Sequence, residues 1–145
     1  MFRSILSVFL GFVLMVILAM TAMGILFTLF PYTPPGPDEI ELAEEVLPPV
    51  MAILLLMPIE LIIAAFGGYF TAAVAGHKER EHAVALATVV FVMGLVSFVS
   101  AFGQEPIWYS LTRLVGTPIF VLLGGALRHR QYGRTSAIQV SEESA

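Results

Sequence analysis

Long apolar runs separated by short polar segments dominate the chain. Each run is long enough to cross the roughly 30 Å of a bilayer's hydrocarbon core as a helix of about 20 residues. None of them alternates between apolar and polar residues, as the strands of a membrane β-barrel would. Helices also satisfy their own backbone amides, which lipid cannot do. We therefore predict four transmembrane helices, over residues 4–30, 50–76, 83–103 and 108–127.

The composition agrees with a membrane protein. Of the 145 residues, 58% are hydrophobic and 12% are charged, and the mean hydropathy is +0.90. A soluble domain has about 45–50% apolar and about 25% charged residues, and a disordered chain needs low hydrophobicity with high net charge. Both classes are excluded. We predict one all-α membrane domain over residues 1–130, followed by a polar, disordered tail over residues 131–145.

The first apolar run has two interpretations. Arg3 gives it a positive start, and the segment 22–24 resembles the small-x-small site of a cleaved signal peptide. The apolar stretch continues beyond that site to Phe30, whereas the apolar region of a signal peptide is only about 7–15 residues long. We therefore expect a retained helix and keep a cleaved signal peptide as the alternative.

The charged residues divide between the two sides of the membrane. Segments 31–49 and 104–107 contain acidic residues and no Lys or Arg. Short loops that carry Lys and Arg stay in the cytoplasm. We therefore predict two antiparallel hairpins with both termini cytoplasmic, an acidic outer loop over 31–49, and Trp108 and Tyr109 as anchors at the outer interface. Six of the seven basic residues fall on the inner side: Arg3, Lys78, Arg80, Arg128, Arg130 and Arg134.

Small residues recur along the second predicted helix. After Glu60 they occupy every fourth position, which stays near one helix face at 3.6 residues per turn. Helices in lipid associate through close backbone approach or polar contacts, because lipid tails are as apolar as Leu. We predict a helix-packing ridge, with the simplest role of an ordinary bundle contact, formed by Ala64, Gly68, Ala72 and Gly76.

Two prolines lie inside predicted spanning helices. Pro58 and Pro118 each remove one backbone hydrogen bond, and we predict a kink at both positions. A weak repeat is also visible, since Gly67-Gly68 and Gly124-Gly125 each precede a basic segment. The prolines lie at different distances from these glycine pairs, so we interpret the halves as two similar hairpins.

Two ionisable residues, Glu60 and Arg113, fall within the apolar runs. A charge at the centre of a spanning helix costs about 2.5–3.5 kcal/mol on insertion scales, and such residues are paired or functional. At 1.5 Å per residue, Glu60 lies about 15 Å and Arg113 about 7–8 Å from the outer ends of their helices, so the two side chains can meet. Three interpretations remain open. They are a structural ion pair, a protonated Glu60 with Arg113 reaching the interface, and a proton- or substrate-coupled site.

Other chemistry is sparse in the sequence. There is no cysteine, and His77, His82 and His129 lie at the ends of the apolar runs without the spacing of a zinc motif. The outer loop lacks the spacing of a calcium loop. No nucleotide-binding or nucleophile motif is present, and the net charge of −4 does not suit a nucleic-acid binder. We predict no catalytic residue, no metal, no cofactor and no nucleic-acid partner.

Several segments carry a resemblance. The stretch 67–76 is followed by a charged loop and an alanine-rich helix start, and segments 106–109 and 124–128 fit the same picture. Together they resemble small four-helix inner-membrane proteins of bacteria that carry no assigned function. The resemblance implies a multi-pass protein of the bacterial inner, or plasma, membrane and implies no activity.

The sequence supports three hypotheses of function. The first is a non-enzymatic integral membrane protein that self-associates or is an accessory subunit of a larger membrane complex. The second is a small oligomeric transporter or proton-coupled carrier that uses Glu60. An intramembrane enzyme is third, because only Glu60 and Arg113 lie at membrane depth. Small multidrug exporters place a key Glu in the first helix, and the first helix of this chain has no acidic residue.

Overall fold

The computed structural model of the chain describes residues 2–29, 50–76, 79–102 and 106–143. These residues form four α-helices, and each contains a segment long and apolar enough to cross a membrane. The prediction of an all-helical chain with four helices of membrane-spanning length is therefore confirmed. The acidic outer loop predicted over 31–49 lies outside the described residues. The helices are α1 (Phe2–Leu29), α2 (Val50–Ala75), α3 (Glu79–Ser100) and α4 (Ile107–Glu143).

The third helix begins earlier than its apolar run. The sequence predicted its start at residue 83, but α3 begins at Glu79. Charged residues fit the first turn of a helix in the membrane–water boundary, and acidic groups there oppose the positive end of the helix dipole. The edge of the apolar run therefore does not mark the end of the helix, because α3 extends past that edge.

The fourth helix differs more from its prediction. The sequence predicted a helix over 108–127 and a disordered tail from residue 131, whereas α4 is continuous from Ile107 to Glu143. No proline follows Pro118, and the segment beyond Leu127 is rich in residues that favour helices. With 37 residues, α4 measures about 55 Å at 1.5 Å per residue. It is therefore longer than a bilayer's hydrocarbon core is thick.

The second helix lies at the centre of the bundle. It contacts α1, α3 and α4, and α3 also contacts α1 and α4, whereas the described residues of α1 and α4 make no contact with each other. Every helix therefore contributes to one small core, which is formed by Met15, Ala64, Leu86, Ala87 and Val121.

The contact between α1 and α2 depends on glycines. Gly11 faces the side chain of Thr71, and Gly67 faces the side chain of Met15. The Thr71 hydroxyl is buried and donates a hydrogen bond to the carbonyl oxygen of Gly67 at 2.8 Å. Since a polar group in the interior needs a partner, this bond lets a threonine occupy the α1–α2 contact.

Small residues also occupy the contact between α3 and α4. Gly94 of α3 faces Leu114, and Gly125 of α4 faces the methyl group of Ala83. Ala83 is buried. Close approach through Gly and Ala is the usual way for helices to pack in lipid, because it increases van der Waals contact between the backbones.

Gly76 ends α2. It was predicted as the last member of the packing ridge, but the helix stops at Ala75 and Gly76 has a φ of 69°. No atom outside its immediate neighbours lies within 4 Å of the place where a Cβ would be. Gly76 therefore acts as a left-handed residue after the helix C-terminus, a position that favours glycine, and its Cβ position meets no other helix among the described residues.

Candidate functional site

The two charged residues within the apolar runs, Glu60 and Arg113, form an ion pair between α2 and α4. The Nε atom of Arg113 lies 3.1 Å from the Oε2 atom of Glu60, and the Glu60 side chain is 17% exposed. Ionisable side chains within spanning helices usually pair with one another or with backbone carbonyls, and this contact gives each of the two charges such a partner. The structure thus brings together the two residues that the sequence singled out, and it places them between two helices that are distant in sequence.

Tyr109 completes the surroundings of Arg113. The guanidinium carbon of Arg113 lies 5.4 Å from the centroid of the Tyr109 ring, within the range of a cation–π interaction. Tyr109 is only 4% exposed, whereas Trp108 is 46% exposed. Trp108 therefore has the exposure of an interface anchor and Tyr109 does not. The spacing of four residues on one helix was the sequence signal for the contact between Tyr109 and Arg113.

Further along the same two helices, the backbones of α2 and α4 touch. A Cβ atom on Gly68 would overlap the carbonyl group of Val121, and a Cβ on Gly124 would overlap the carbonyl group of Ala65. These two contacts are reciprocal, because each helix inserts one glycine against the other's backbone. Glycine permits the same close approach where membrane helices dimerise through small residues.

The predicted ridge divides in the structure. Ala64 and Ala72 are completely buried, and Gly68 is buried against α4. These three residues belong to the packed side of α2, and Gly76 lies beyond the end of the helix. Gly67 and Thr71 form a second face of α2, which packs on α1 and was not predicted from the sequence.

A third link joins α2 to α4 at the basic end of the bundle. The Tyr69 hydroxyl donates a hydrogen bond to Oε1 of Gln131 at 2.9 Å, and the guanidinium carbon of Arg128 lies 5.9 Å from the Tyr69 ring centroid. The Nε atom of Arg128 is buried and has no hydrogen-bond partner among the described residues. From the ion pair to this cluster, both helices advance in the same direction along the chain, so α2 and α4 run parallel. The sequence does not predict this cluster, because its members are far apart in the chain.

Arg113 also borders a cavity of about 220 Å³ between α1, α3 and α4. The Arg113 side chain is 40% exposed and forms part of the wall of this space. Most of the wall is apolar, and the hydroxyl-bearing residues Ser97, Ser110 and Thr117 also line it. The cavity fills the gap that exists because the described residues of α1 and α4 do not touch.

Pro58 and Pro118 lie inside continuous helices. Pro58 leaves the carbonyl of Leu54 without its intrahelical partner, about one and a half turns before Glu60. The kinks predicted at these prolines stay predictions.

Metal chemistry has no support in the described part of the chain, where no three His, Asp or Glu side chains cluster in a way that could hold an ion. His77 lies outside the described residues.

Comparison of the chain with profiles of protein families, with curated proteins and with solved structures gives no match.

Proposed function

We propose that this chain is a non-enzymatic integral membrane protein that self-associates or serves as an accessory subunit of a membrane complex. The Glu60–Arg113 ion pair carries the proposal. In this pair, the two charges at membrane depth bind each other and so hold α2 against α4. A group that moves protons or substrates must change partners during its cycle, whereas a structural pair keeps the same partner.

The rest of the α2–α4 contact supports a structural role. Glycines bring the two backbones together at Gly68 and Gly124, and the Tyr69–Gln131 hydrogen bond adds a polar link near one end. A transport cycle rocks one half of a bundle against the other. Three kinds of contact along the same pair of helices oppose such a movement and favour a rigid unit.

The second half of α1 supports association with another helix. Met20 is 72% exposed, and no atom of the described residues lies within 4 Å of the place that a Cβ on Gly24 would occupy. Thr21 and Thr28 are exposed on the same stretch, and their hydroxyls bond to their own helix. Small residues at membrane depth are the surface on which another helix packs most closely. A second copy of the chain or a subunit of a complex would cover them.

For the topology we propose two antiparallel hairpins with both termini in the cytoplasm of a bacterial cell, in the inner membrane. The contacts Gly11–Thr71 and Met15–Gly67 are those of antiparallel neighbours. The orientation follows from the concentration of Lys and Arg on one side of the chain. Cysteine accessibility at positions 40 and 140, in a chain that has no cysteine of its own, tests it, because only the first of these should react from outside.

The mass of the protein in mild detergent tests the proposal. We expect either a homo-oligomer or a complex with a co-purifying partner, measured by native mass spectrometry after membrane extraction. Gly24→Leu should reduce the associated fraction, because it fills the small-residue surface of α1. Val92→Leu changes an exposed position of α3 and is the control. A strictly monomeric protein at every concentration and without any partner would contradict the proposal.

The cavity beside Arg113 supports a second candidate, a small oligomeric carrier that uses Glu60. The cavity of about 220 Å³ offers a cation and three hydroxyl-bearing residues to a small anionic solute. If the protein is a carrier, the Glu60–Arg113 pair should open when solute binds. Infrared difference spectra of the Glu60 carboxylate, recorded in vesicles with and without candidate solutes, should change for a carrier and stay constant for a structural pair.

A further inference from the structure

A groove between α3 and α4 has a basic mouth and an apolar floor. Its volume is about 450 Å³, and its charged end is formed by Arg80 of α3 together with His129 and Arg130 of α4. The remaining lining is entirely aliphatic, formed by Ala83, Val84, Ile119, Leu122, Leu123 and Ala126.

Helix periodicity aligns this groove along the bundle. Arg80 and Val84 lie one turn apart on α3, and Ile119, Leu123 and Arg130 lie along one face of α4 at helical spacing. From Ile119 to Arg130 the groove extends about 16 Å at 1.5 Å per residue. This length is about half of a roughly 30 Å hydrocarbon core, which is the depth of one leaflet.

The two arginines at the mouth are accessible. Both are exposed, and neither Arg80 nor Arg130 forms an ion pair with a side chain that the structure describes. The nearest acid with a described side chain on α3, Glu81, lines a different cavity, which faces α1. The mouth of the groove is therefore a site of positive charge at the end of an apolar channel.

We propose that this groove binds an anionic phospholipid, with Arg80 and Arg130 at the phosphate and one acyl chain along the aliphatic floor. Basic pockets between spanning helices on the cytoplasmic side recognise anionic headgroups. The apolar floor can contact a hydrocarbon chain, whereas a free phosphate ion has no apolar part that would bind there. The inference requires that the chain spans a membrane, and it is independent of whether the chain self-associates.

The selectivity for anionic over zwitterionic lipid measures the contribution of Arg80 and Arg130 to binding. The full chain in mild detergent is titrated with phosphatidylglycerol and with phosphatidylcholine of the same acyl chains, and native mass spectrometry gives both dissociation constants. We expect a preference for phosphatidylglycerol that falls about fivefold in Arg80→Gln or in Arg130→Gln, and about twentyfold in the double variant.

Arg128→Gln is the matched control, because it removes the same charge from the same end of α4 but at a side chain that faces Tyr69. Its lipid preference should change less than twofold, since the ratio of two dissociation constants is insensitive to a general loss of stability. An equal loss in Arg128→Gln and Arg80→Gln would show that net surface charge, and not the groove, selects the lipid, and would overturn the proposal.

A steric pair of variants tests the apolar half without touching the charges. Ala126→Phe fills the groove, whereas Leu127→Phe enlarges the neighbouring exposed residue outside it. We expect Ala126→Phe to weaken phosphatidylglycerol binding at least fivefold and Leu127→Phe to leave it within twofold. Equal affinities in the two variants would contradict an acyl chain in the groove.

A soluble competitor separates a lipid site from a phosphate site. Glycerol 3-phosphate carries the same phosphate ester without acyl chains. We expect it to leave bound phosphatidylglycerol in place at concentrations at which the lipid saturates the protein. Displacement with similar affinity would assign the groove to soluble phosphate esters and would refute the lipid assignment.

Discussion

The Cα of Gly68 lies directly against the backbone of Val121, so closely that a Cβ at position 68 would overlap the Val121 carbonyl group. Gly124 has the same relationship to Ala65. At this crossing backbone meets backbone, and there is no flexible side chain that could move aside. The position of α2 on α4 is therefore set by two glycines, and the ion pair and the Tyr69 cluster add to a contact that is already close.

A methyl group at position 68 should separate these helices. We expect Gly68→Ala to lower the free energy of unfolding by about 1–3 kcal/mol, as overpacking does in other cores. Reversible unfolding in mixed detergent micelles measures this. Gly94→Ala is the control, because a Cβ at position 94 would meet its nearest neighbour, the Cδ1 atom of Leu114, at an ordinary contact distance of 3.4 Å. It should be neutral or stabilising by up to about 1 kcal/mol, the usual gain from replacing Gly in a helix. Equal effects would argue against the tight crossing.

The α1–α2 contact predicts that a second substitution can restore part of the stability lost through a first one. A Cβ at Gly11 would overlap the Thr71 hydroxyl, which is hydrogen-bonded to Gly67 in a buried position. Gly11→Ala should therefore cost about 1–3 kcal/mol of unfolding free energy. Adding Thr71→Ala to Gly11→Ala should restore part of the loss, because it removes the atom that is displaced. Strict additivity of the two changes would contradict a direct contact.

The end of α2 predicts a backbone effect. Gly76 has a φ of 69°, so Gly76→Ala should lower the unfolding free energy by about 1–2 kcal/mol through left-handed strain. Gly76→Asn should cost less, since Asn tolerates this conformation better than other residues. The same micelle unfolding assay measures both. A larger loss for Asn than for Ala would show that space and not backbone conformation limits this position.

The aromatic pair at the start of α4 predicts unequal effects. Tyr109 is buried under the Arg113 guanidinium and Trp108 is exposed. Tyr109→Leu should therefore lower the unfolding free energy by about 1–3 kcal/mol through lost packing and lost cation–π contact, whereas Trp108→Leu should change it by less than about 0.5 kcal/mol. The reverse order would mean that Tyr109 serves as an interface anchor, as the sequence predicted.

The sequence could predict the features that depend on solvent preference. Apolar runs of spanning length indicated the four helices, and the rarity of charge in hydrocarbon selected Glu60 and Arg113 as residues that can meet. Helix ends were less predictable, because polarity marks the membrane boundary and not the end of hydrogen bonding. For this reason the start of α3 at Glu79 and the extension of α4 to Glu143 were missed.

Contacts that join distant parts of the chain were harder to predict. The Tyr69–Gln131 bond and the Gly11–Thr71 contact require the rotation of each helix, which the apolar pattern does not define when all sides of a helix are apolar. The burial of Tyr109 under Arg113 was not predictable either, because a rule based on depth in the membrane does not say which side of the helix a tyrosine occupies. Neighbouring helices thus decide the side of a spanning helix on which a residue lies.

A double-mutant cycle on Glu60 and Arg113 tests the central claim, that these charges hold α2 to α4, most directly. Glu60→Ala and Arg113→Ala should each destabilise the chain, because each leaves the other charge in the membrane without its partner. The double variant should be less destabilised than the sum of the single effects by about 1–2 kcal/mol of unfolding free energy. Single effects that add within about 0.3 kcal/mol would contradict the structural ion pair.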